Sequence, residues 1–203
     1  MPAVHPDGLT HDSLLQLFQE RGALLQGHFL LSSGLHSARY LQCARVLMDP
    51  ELATRLGGAL AARLRPLLGG ASPRAVVAPA LGGVLVAHEV ARALGCSGLF
   101  TERQDGRMTL RRGFTLEAGD AVVVVEDVIT TGGSTREVLE AVTARGARVL
   151  AVGSLVDRSG GTLELGVPCR SLLELALEAY PPDSCPLCAR GSKPEKPGSR
   201  ASR

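Results

Sequence analysis

Lysine is almost missing from this chain: among 203 residues only Lys193 and Lys196 are lysines, both in the polar stretch GSKPEKPGSR. A Schiff-base lysine in a folded core and a phosphate-loop lysine are thereby excluded, and neither the Walker A pattern nor G-x-G-x-x-G occurs. Aromatic residues are scarce too, at 3% with no tryptophan, so the core must be filled by Leu, Val and Ala, which suits layered strands and helices. With few rings to stack on bases, a net charge of only +2 and no basic run in the body, the electrostatic footprint of a nucleic-acid binder is absent. Small anionic ligands stay open. No apolar run approaches the roughly 18 residues of a membrane span, and the start, MPAVHPDGLTHD, lacks the order of an export signal, so a soluble cytoplasmic protein is expected. The five cysteines are odd in number and irregularly spaced, which argues against a disulfide framework and for reduced thiols.

Apolar spacing predicts a helix from about Asp12 to Gln26, and HFLLSSGLHSARYLQCA reads as a hairpin turning at Ser33 and Gly34. A second helix runs from Pro50 to about Leu68, ending at Gly69 and Gly70. Two strand-loop-helix units follow, RAVVAPALGGVLVAHEVARAL and DAVVVVEDVITTGGSTREVLEAVTARGA, and RVLAVGSLVDR is expected to complete a parallel sheet. Between the units, LFTERQDGRMTLRRGF alternates around Asp105 and Gly106, an arginine-rich hairpin with an exposed, mobile tip. The expectation is one α/β domain over residues 1–184, followed by a Cys-x-x-Cys knuckle and a flexible polar tail over 185–203.

The second unit carries the most chemistry. In a parallel sheet ligands gather at the C-terminal strand ends, where Glu126 and Asp127 fall. Two adjacent carboxylates there can accept hydrogen bonds from the vicinal hydroxyls of a ribose or help hold a divalent cation; they can also be mere helix-capping acids. Thr130, Thr131 and Ser134 add hydroxyls, and Gly132 and Gly133 let the backbone come close to a ligand. The helix that follows directs free amides and its positive end at the same place. Acids for sugar hydroxyls and a lysine-free cradle for a phosphate fit a ribose 5-phosphate held along one loop.

VVVVEDVITTGGST, residues 122–135, resembles the phosphoribosyl pyrophosphate signature of the type I phosphoribosyltransferases. The resemblance implies an α/β fold with a parallel sheet, an N-terminal helix and a hairpin hood, the hood over approximately 10–48 and the core over 50–180. It places Glu126 and Asp127 on the ribose hydroxyls and the run Val128, Ile129, Thr130, Thr131, Gly132, Gly133 and Ser134 around the 5-phosphate. Ala80, Leu81, Gly82 and Gly83 of PALGG resemble the family's pyrophosphate loop. GHFLLSSGLHSARYLQCA is similar to the N-terminal segment of orotate phosphoribosyltransferases, which implies Ser32, Ser33, Tyr40 and Leu41 near the pyrimidine and Arg158 opposite its anionic ring. Arg103 and Arg107, with Asp127, are the implied catalytic groups. Many members of the family carry lysine where this chain has Ser32, Leu81 and an arginine-only hairpin. Magnesium, a homodimer, orotate and phosphoribosyl pyrophosphate follow from the same resemblance, as does a place in pyrimidine (UMP) biosynthesis, with neither nucleic acid nor membrane as partner.

Other features admit plainer readings. Cys185 and Cys188 are half of a zinc site, a redox pair or a chance spacing, with Cys169 a candidate third ligand. His28 and His36 flank the base pocket but read as structural histidines, and Cys43 and Cys96 read as core residues. The alternatives to an orotate enzyme are a purine-base phosphoribosyltransferase and a regulatory protein that senses phosphoribosyl pyrophosphate.

Overall fold

A computed structural model describes residues 8–31 and 33–197. Thr10 opens helix α1 (His11–Glu20) with a reciprocal cap: its hydroxyl accepts from the Ser13 amide, and the Ser13 hydroxyl sits 2.9 Å from the Thr10 amide. The helix stops six residues before the expected Gln26. Gly22 takes a left-handed φ of +62°, and the amides of Gly22 and Ala23 bond back to Gln19 and Phe18, closing the helix. Leu24 and Leu25 then belong to strand β1 (Leu24–Leu30), which pairs antiparallel with β2 (His36–Leu41). This hairpin is the hood, and its register shifts between Gln26 and Phe29.

A short helix α2 (Ala44–Leu47) leads to α3 (Pro50–Leu64), which has Asp49 as N-cap and a proline in its first turn. Pro66 has no amide to continue the helical pattern, so a 3-10 turn (Arg65–Leu68) ends on left-handed Gly69. The remaining elements are β3 (Ala75–Pro79), α4 (Gly83–Leu94), β4 (Ser97–Gln104), β5 (Arg107–Leu110), β6 (Ala121–Ile129), α5 (Gly133–Thr143), β7 (Arg148–Asp157), β8 (Cys169–Glu174) and α6 (Pro186–Ala189).

Six strands form the main sheet in the order β5-β4-β3-β6-β7-β8, and only β5 runs antiparallel to its neighbour. The central strands are apolar on both faces because each face is covered. Val76, Ala78, Val123 and Val125 pack with α1, α3 and α4, while Ala75, Val77, Val122 and Val124 pack toward α5. All eight are fully buried, and each valine contributes roughly 1.5–3 kcal/mol by leaving water. Helices α3 and α4 approach closely at Gly57, where a Cβ would stand 2.4 Å from that of Glu89. Among the described residues no helix is long and apolar enough to cross a membrane.

Two further expectations change. The sheet does not end at β7, since β8 adds a sixth strand at the edge; its sequence, CRSLLE, follows a glycine- and proline-rich connection and shows little alternation. The segment after Tyr180 is also no loose appendage through its described length. His36 and Tyr180 exchange backbone bonds of 2.8 Å, the Leu30 amide bonds Glu195 O at 2.7 Å, and the Glu195 amide bonds His28 O at 2.8 Å. The C-terminal segment therefore lies along the hood. Residues 198–203 of the expected tail lie outside the described residues.

Candidate active site

Strand β6 brings Glu126 and Asp127 to the C-terminal edge of the sheet, beside β3 and β7. Glu126 is 7% exposed and Asp127 half-buried. Burial pushes the Glu126 carboxyl up to about 9, and the charge of Asp127 and a side-chain hydrogen bond with it push the same way. Near neutral pH Glu126 thus keeps its proton. The Cys43 thiol, at the end of the hood, lies 3.9 Å from the Asp127 carbonyl, and its own pKa is raised by burial and by both acids. Cys43 is a core residue, as expected, and also part of the wall behind the acids.

The PALGG loop explains its glycines here. A Cβ on Gly82 would stand 2.6 Å from both Asp127 carboxylate oxygens, and one on Gly83 would meet the Ala78 Cβ at 2.8 Å and Glu126 Oε1 at 3.5 Å. Only bare backbone fits between this loop and the acids. The Ala80 amide bonds Thr101 O at 2.8 Å, the Ala80–Leu81 peptide is cis, and the Leu81 side chain is 88% exposed.

Beyond the acids, Val128 packs partly against the core and the Ile129 side chain is 2% exposed within it, so these two offer a ligand backbone at most. Thr130, Thr131, Gly133 and Ser134 are exposed, and Gly132 is buried at φ +76°. A Cβ at Gly132 would stand 2.7 Å from Leu163, which is why the turn demands glycine. The first amides of α5 have no carbonyl within the helix to receive them and face the loop with the helix's positive end, and no acid occupies that first turn. This is the geometry of an anion cradle. Arg136 locks it from behind, donating 2.6 Å to Thr131 O and 3.2 Å to Glu164 O. The sequence reading missed Arg136, Leu163 and Leu165, because all three act through backbone and packing and carry no motif.

Arg158 follows β7, and its amide bonds Ile129 O at 2.8 Å, one strand over from the acids. Its guanidinium is half-buried, burial lowers its pKa, and the nearby Tyr40 hydroxyl opposes this. Its Nε is buried without a hydrogen-bond partner among the described residues. Tyr40 packs its ring on Phe29 at 5.7 Å. Leu41, expected beside Tyr40 as a second wall, goes instead to the main core at 6% exposure, since neighbours on a strand face opposite sides. Ser33 is exposed on the hood turn, where its hydroxyl lies 3.5 Å from the Leu35 amide; Ser32 lies outside the described residues.

The arginine hairpin turns tightly at Asp105 and Gly106, with φ values of 50° and 81°. Arg103 reaches α5, 2.9 Å from Glu137, and also bonds Gly106 O at 2.7 Å. Arg112 makes a bidentate pair with Glu102 at 2.7 and 2.8 Å and stands over the Phe100 ring, while Arg107 is exposed. Exposed pairs of this kind contribute about 1 kcal/mol or less, so Arg103 can exchange Glu137 for a bound anion at small cost. At the other end of the hood Cys185 and Cys188 converge on His28 and His36. Cys169, the expected third partner, is on β8 with its thiol on Val167 O and takes no part.

A phosphoribosyl transferase domain matches residues 46–179 of the chain. Orotate phosphoribosyltransferase of Heliobacterium modesticaldum is 52% identical over 192 residues, covering 95% of this chain and all of that protein. The enzyme of the same name from Thermotoga maritima is 50% identical, covering 91% of this chain and 97% of its own. Among solved structures, orotate phosphoribosyltransferase from Aeropyrum pernix superposes with a TM-score of 0.63 at 32% identity, over 80% of this chain and 93% of that one. Yeast adenine phosphoribosyltransferase, 21% identical over 80% of this chain and 99% of its own, reaches 0.63 too and shares the fold alone. With the loop, the acids and the sheet order already in place, the chain belongs to the type I phosphoribosyltransferases, in the orotate phosphoribosyltransferase family.

Proposed function

We infer that this chain transfers ribose 5-phosphate from phosphoribosyl pyrophosphate to orotate, giving orotidine 5-phosphate and pyrophosphate in UMP biosynthesis. The observation that carries the choice of base is Arg158: a half-buried guanidinium with an unpaired Nε, beside Tyr40 and one strand from the ribose loop. An anionic, hydrogen-bonding ring meets that need, whereas a neutral purine leaves the charge unmatched. The ribose hydroxyls sit on Asp127 and Glu126, the 5-phosphate on the loop from Thr130 to Ser134, and the pyrophosphate against the PALGG backbone.

In the reaction the bond from C1 of the ribose to the pyrophosphate oxygen breaks, a bond from C1 to the orotate ring nitrogen forms, and that nitrogen's proton passes to the released pyrophosphate or to water. Positive charge grows on the ribose and negative charge on the leaving group. The Asp127 carboxylate lies on the side of the developing cation, and Arg103 and Arg107, released from the hairpin surface, meet the leaving pyrophosphate. Closure of the hairpin would exclude the water that otherwise hydrolyses the donor.

Magnesium fits this donor set as an ion held mainly by the substrate's phosphates and water, with the half-exposed Asp127 carboxylate within reach; Glu126, protonated near neutrality, is a poor direct ligand. When bound it supplies charge neutralisation on the pyrophosphate. A homodimer in which each hairpin serves the neighbouring site, and a cytoplasmic location, complete the reading on resemblance. Incubating the protein with magnesium, phosphoribosyl pyrophosphate and each of orotate, adenine, hypoxanthine, guanine, xanthine and uracil tests it. Orotate alone should be consumed; consumption of a purine instead, or donor binding without turnover of any base, would overturn it.

A further inference from the structure

The four side chains His28, His36, Cys185 and Cys188 have no part in the proposed reaction, yet their donor atoms all lie within 4.8 Å of one another. His28 Nε2 is 3.0 Å from His36 Nδ1, 3.5 Å from Cys185 Sγ and 3.8 Å from Cys188 Sγ, and Cys188 Sγ is 3.3 Å from His36 Nδ1. For a tetrahedral zinc with bonds of about 2.0–2.1 Å to nitrogen and 2.3 Å to sulfur, the ligand atoms stand roughly 3.3–3.8 Å apart. Four of the six edges, at 3.0–3.8 Å, scatter around those of that tetrahedron, and the other two stay within 4.8 Å, close enough to contract onto an ion. Both histidines are 6% exposed and Cys185 is 3% exposed, so the cluster is a closed, solvent-poor site of the kind that holds a structural ion.

The surroundings are arranged for ligation. His28 Nδ1 lies 3.1 Å from the Ser192 carbonyl, which can only accept, so Nδ1 carries the proton and Nε2 presents its lone pair to the cluster. The shift in register between Gln26 and Phe29 re-aims His28, bringing it beside His36 of the opposite strand, with ring centroids 4.9 Å apart. Cys185 caps the one-turn helix α6 and Cys188 lies within it, and the segment folds back through bonds from the Ala189 amide to Cys185 O and from the Gly191 amide to Cys188 O. Two ligands thus come from the hood and two from the C-terminal segment.

We propose that His28, His36, Cys185 and Cys188 bind one structural zinc ion per chain, which clamps the C-terminal segment onto the hood. The thiols enter as thiolates and the imidazoles as neutral rings, so the site has no net charge with the dication and needs no further counter-ion. The clamp fixes the two strands that flank the hood turn bearing Ser33, a consequence that rests on the proposed orotate site; the metal site itself does not.

The test uses the full chain, purified with reduced thiols. Elemental analysis after dialysis against a weak chelator should find zinc at about one equivalent per chain. Replacing it with cobalt(II) should give the visible ligand-field bands of a tetrahedral site and a thiolate-to-metal charge-transfer band in the near ultraviolet. Cys188→Ser and His36→Ala should each lose the zinc, while Cys169→Ser keeps it. Because either variant can misfold, the cobalt spectrum of the unmodified chain stands as an independent readout. Absence of bound metal after exposure to zinc with all five thiols titratable, a Cys185–Cys188 disulfide found by alkylation and mass measurement in the protein as isolated, or an octahedral cobalt spectrum without charge transfer would each overturn the proposal. Loss of zinc with orotate turnover unchanged would keep the metal site and remove its link to the hood.

Discussion

Glu126→Gln should make this protein more stable in alkali while impairing it as an enzyme. The parent carboxyl has an ordinary value of 4.5 and is held at about 9 in the fold, chiefly by burial and secondly by Asp127. Between those limits the folded state keeps a proton that the unfolded chain releases, so the unfolded state binds fewer protons and stability falls as pH rises. The sign is therefore fixed: the contribution of the protonated group is fully present below 4.5 and is lost as pH climbs toward 9. The slope is about 1.4 kcal/mol per pH unit, which over the whole window sets a ceiling on the order of 6 kcal/mol. Asp127 is half-exposed and can turn toward solvent when Glu126 ionises, so the realised contribution falls below that ceiling. A glutamine amide keeps the shape and can donate to Asp127 without titrating. Urea unfolding of both proteins at a series of pH values from about 5 to 9 should give curves that meet at the acid end and diverge in favour of the variant as pH rises. A difference that is flat with pH, or a parent that gains on the variant in alkali, would refute the assignment of the proton to Glu126. The same variant should bind phosphoribosyl pyrophosphate up to about tenfold more weakly, the equivalent of one neutral hydrogen bond from the protonated carboxyl that the amide does not reproduce.

Gly132→Ala should destabilise the fold by about 1–3 kcal/mol and weaken phosphate binding, because the new Cβ meets Leu163 at 2.7 Å in a left-handed turn; thermal unfolding with and without donor would read both effects. Arg158→Met removes a half-buried guanidinium whose Nε has no hydrogen-bond partner among the described residues, so unfolding experiments should show little loss of stability, while steady-state kinetics should show a KM for orotate raised far more than that for the donor. Arg136→Met frees the Thr131 carbonyl, and the KM for the donor should rise about tenfold with the KM for orotate unmoved.

The sequence reading reaches furthest where one local stretch carries both the fold signal and the chemistry. Val122 to Thr135 is such a stretch: an apolar strand buried on two faces, acids at its end, then a glycine turn into a helix, each dictated by residues within a few positions. The reading fails where the deciding contact is distant. The spacing of Leu24 and Leu25 suits a helix as well as a strand, and Gly22 alone decides between them. Strand β8 has too short a pattern to stand out, and only the open edge of β7 gives it a place. By residue type Cys169 reads as a third ligand and His28 and His36 as structural; which of them meets the Cys-x-x-Cys depends on a register shift in the hood and on how the chain returns past Tyr180. Leu41 and Ile129 sit next to site residues in sequence and are turned into the core by strand alternation.

The most direct test of the whole account is the conversion of orotate and phosphoribosyl pyrophosphate to orotidine 5-phosphate and pyrophosphate, followed side by side in the parent and in Asp127→Asn. Asp127 lies against the bare backbone of Gly82, and asparagine fits the same space without the charge. The account predicts equimolar products in the parent and a loss of about a hundredfold or more in the variant, with its unfolding transition nearly unchanged. Equal turnover in the two proteins would contradict the site, and no turnover of orotate in the parent would contradict the function.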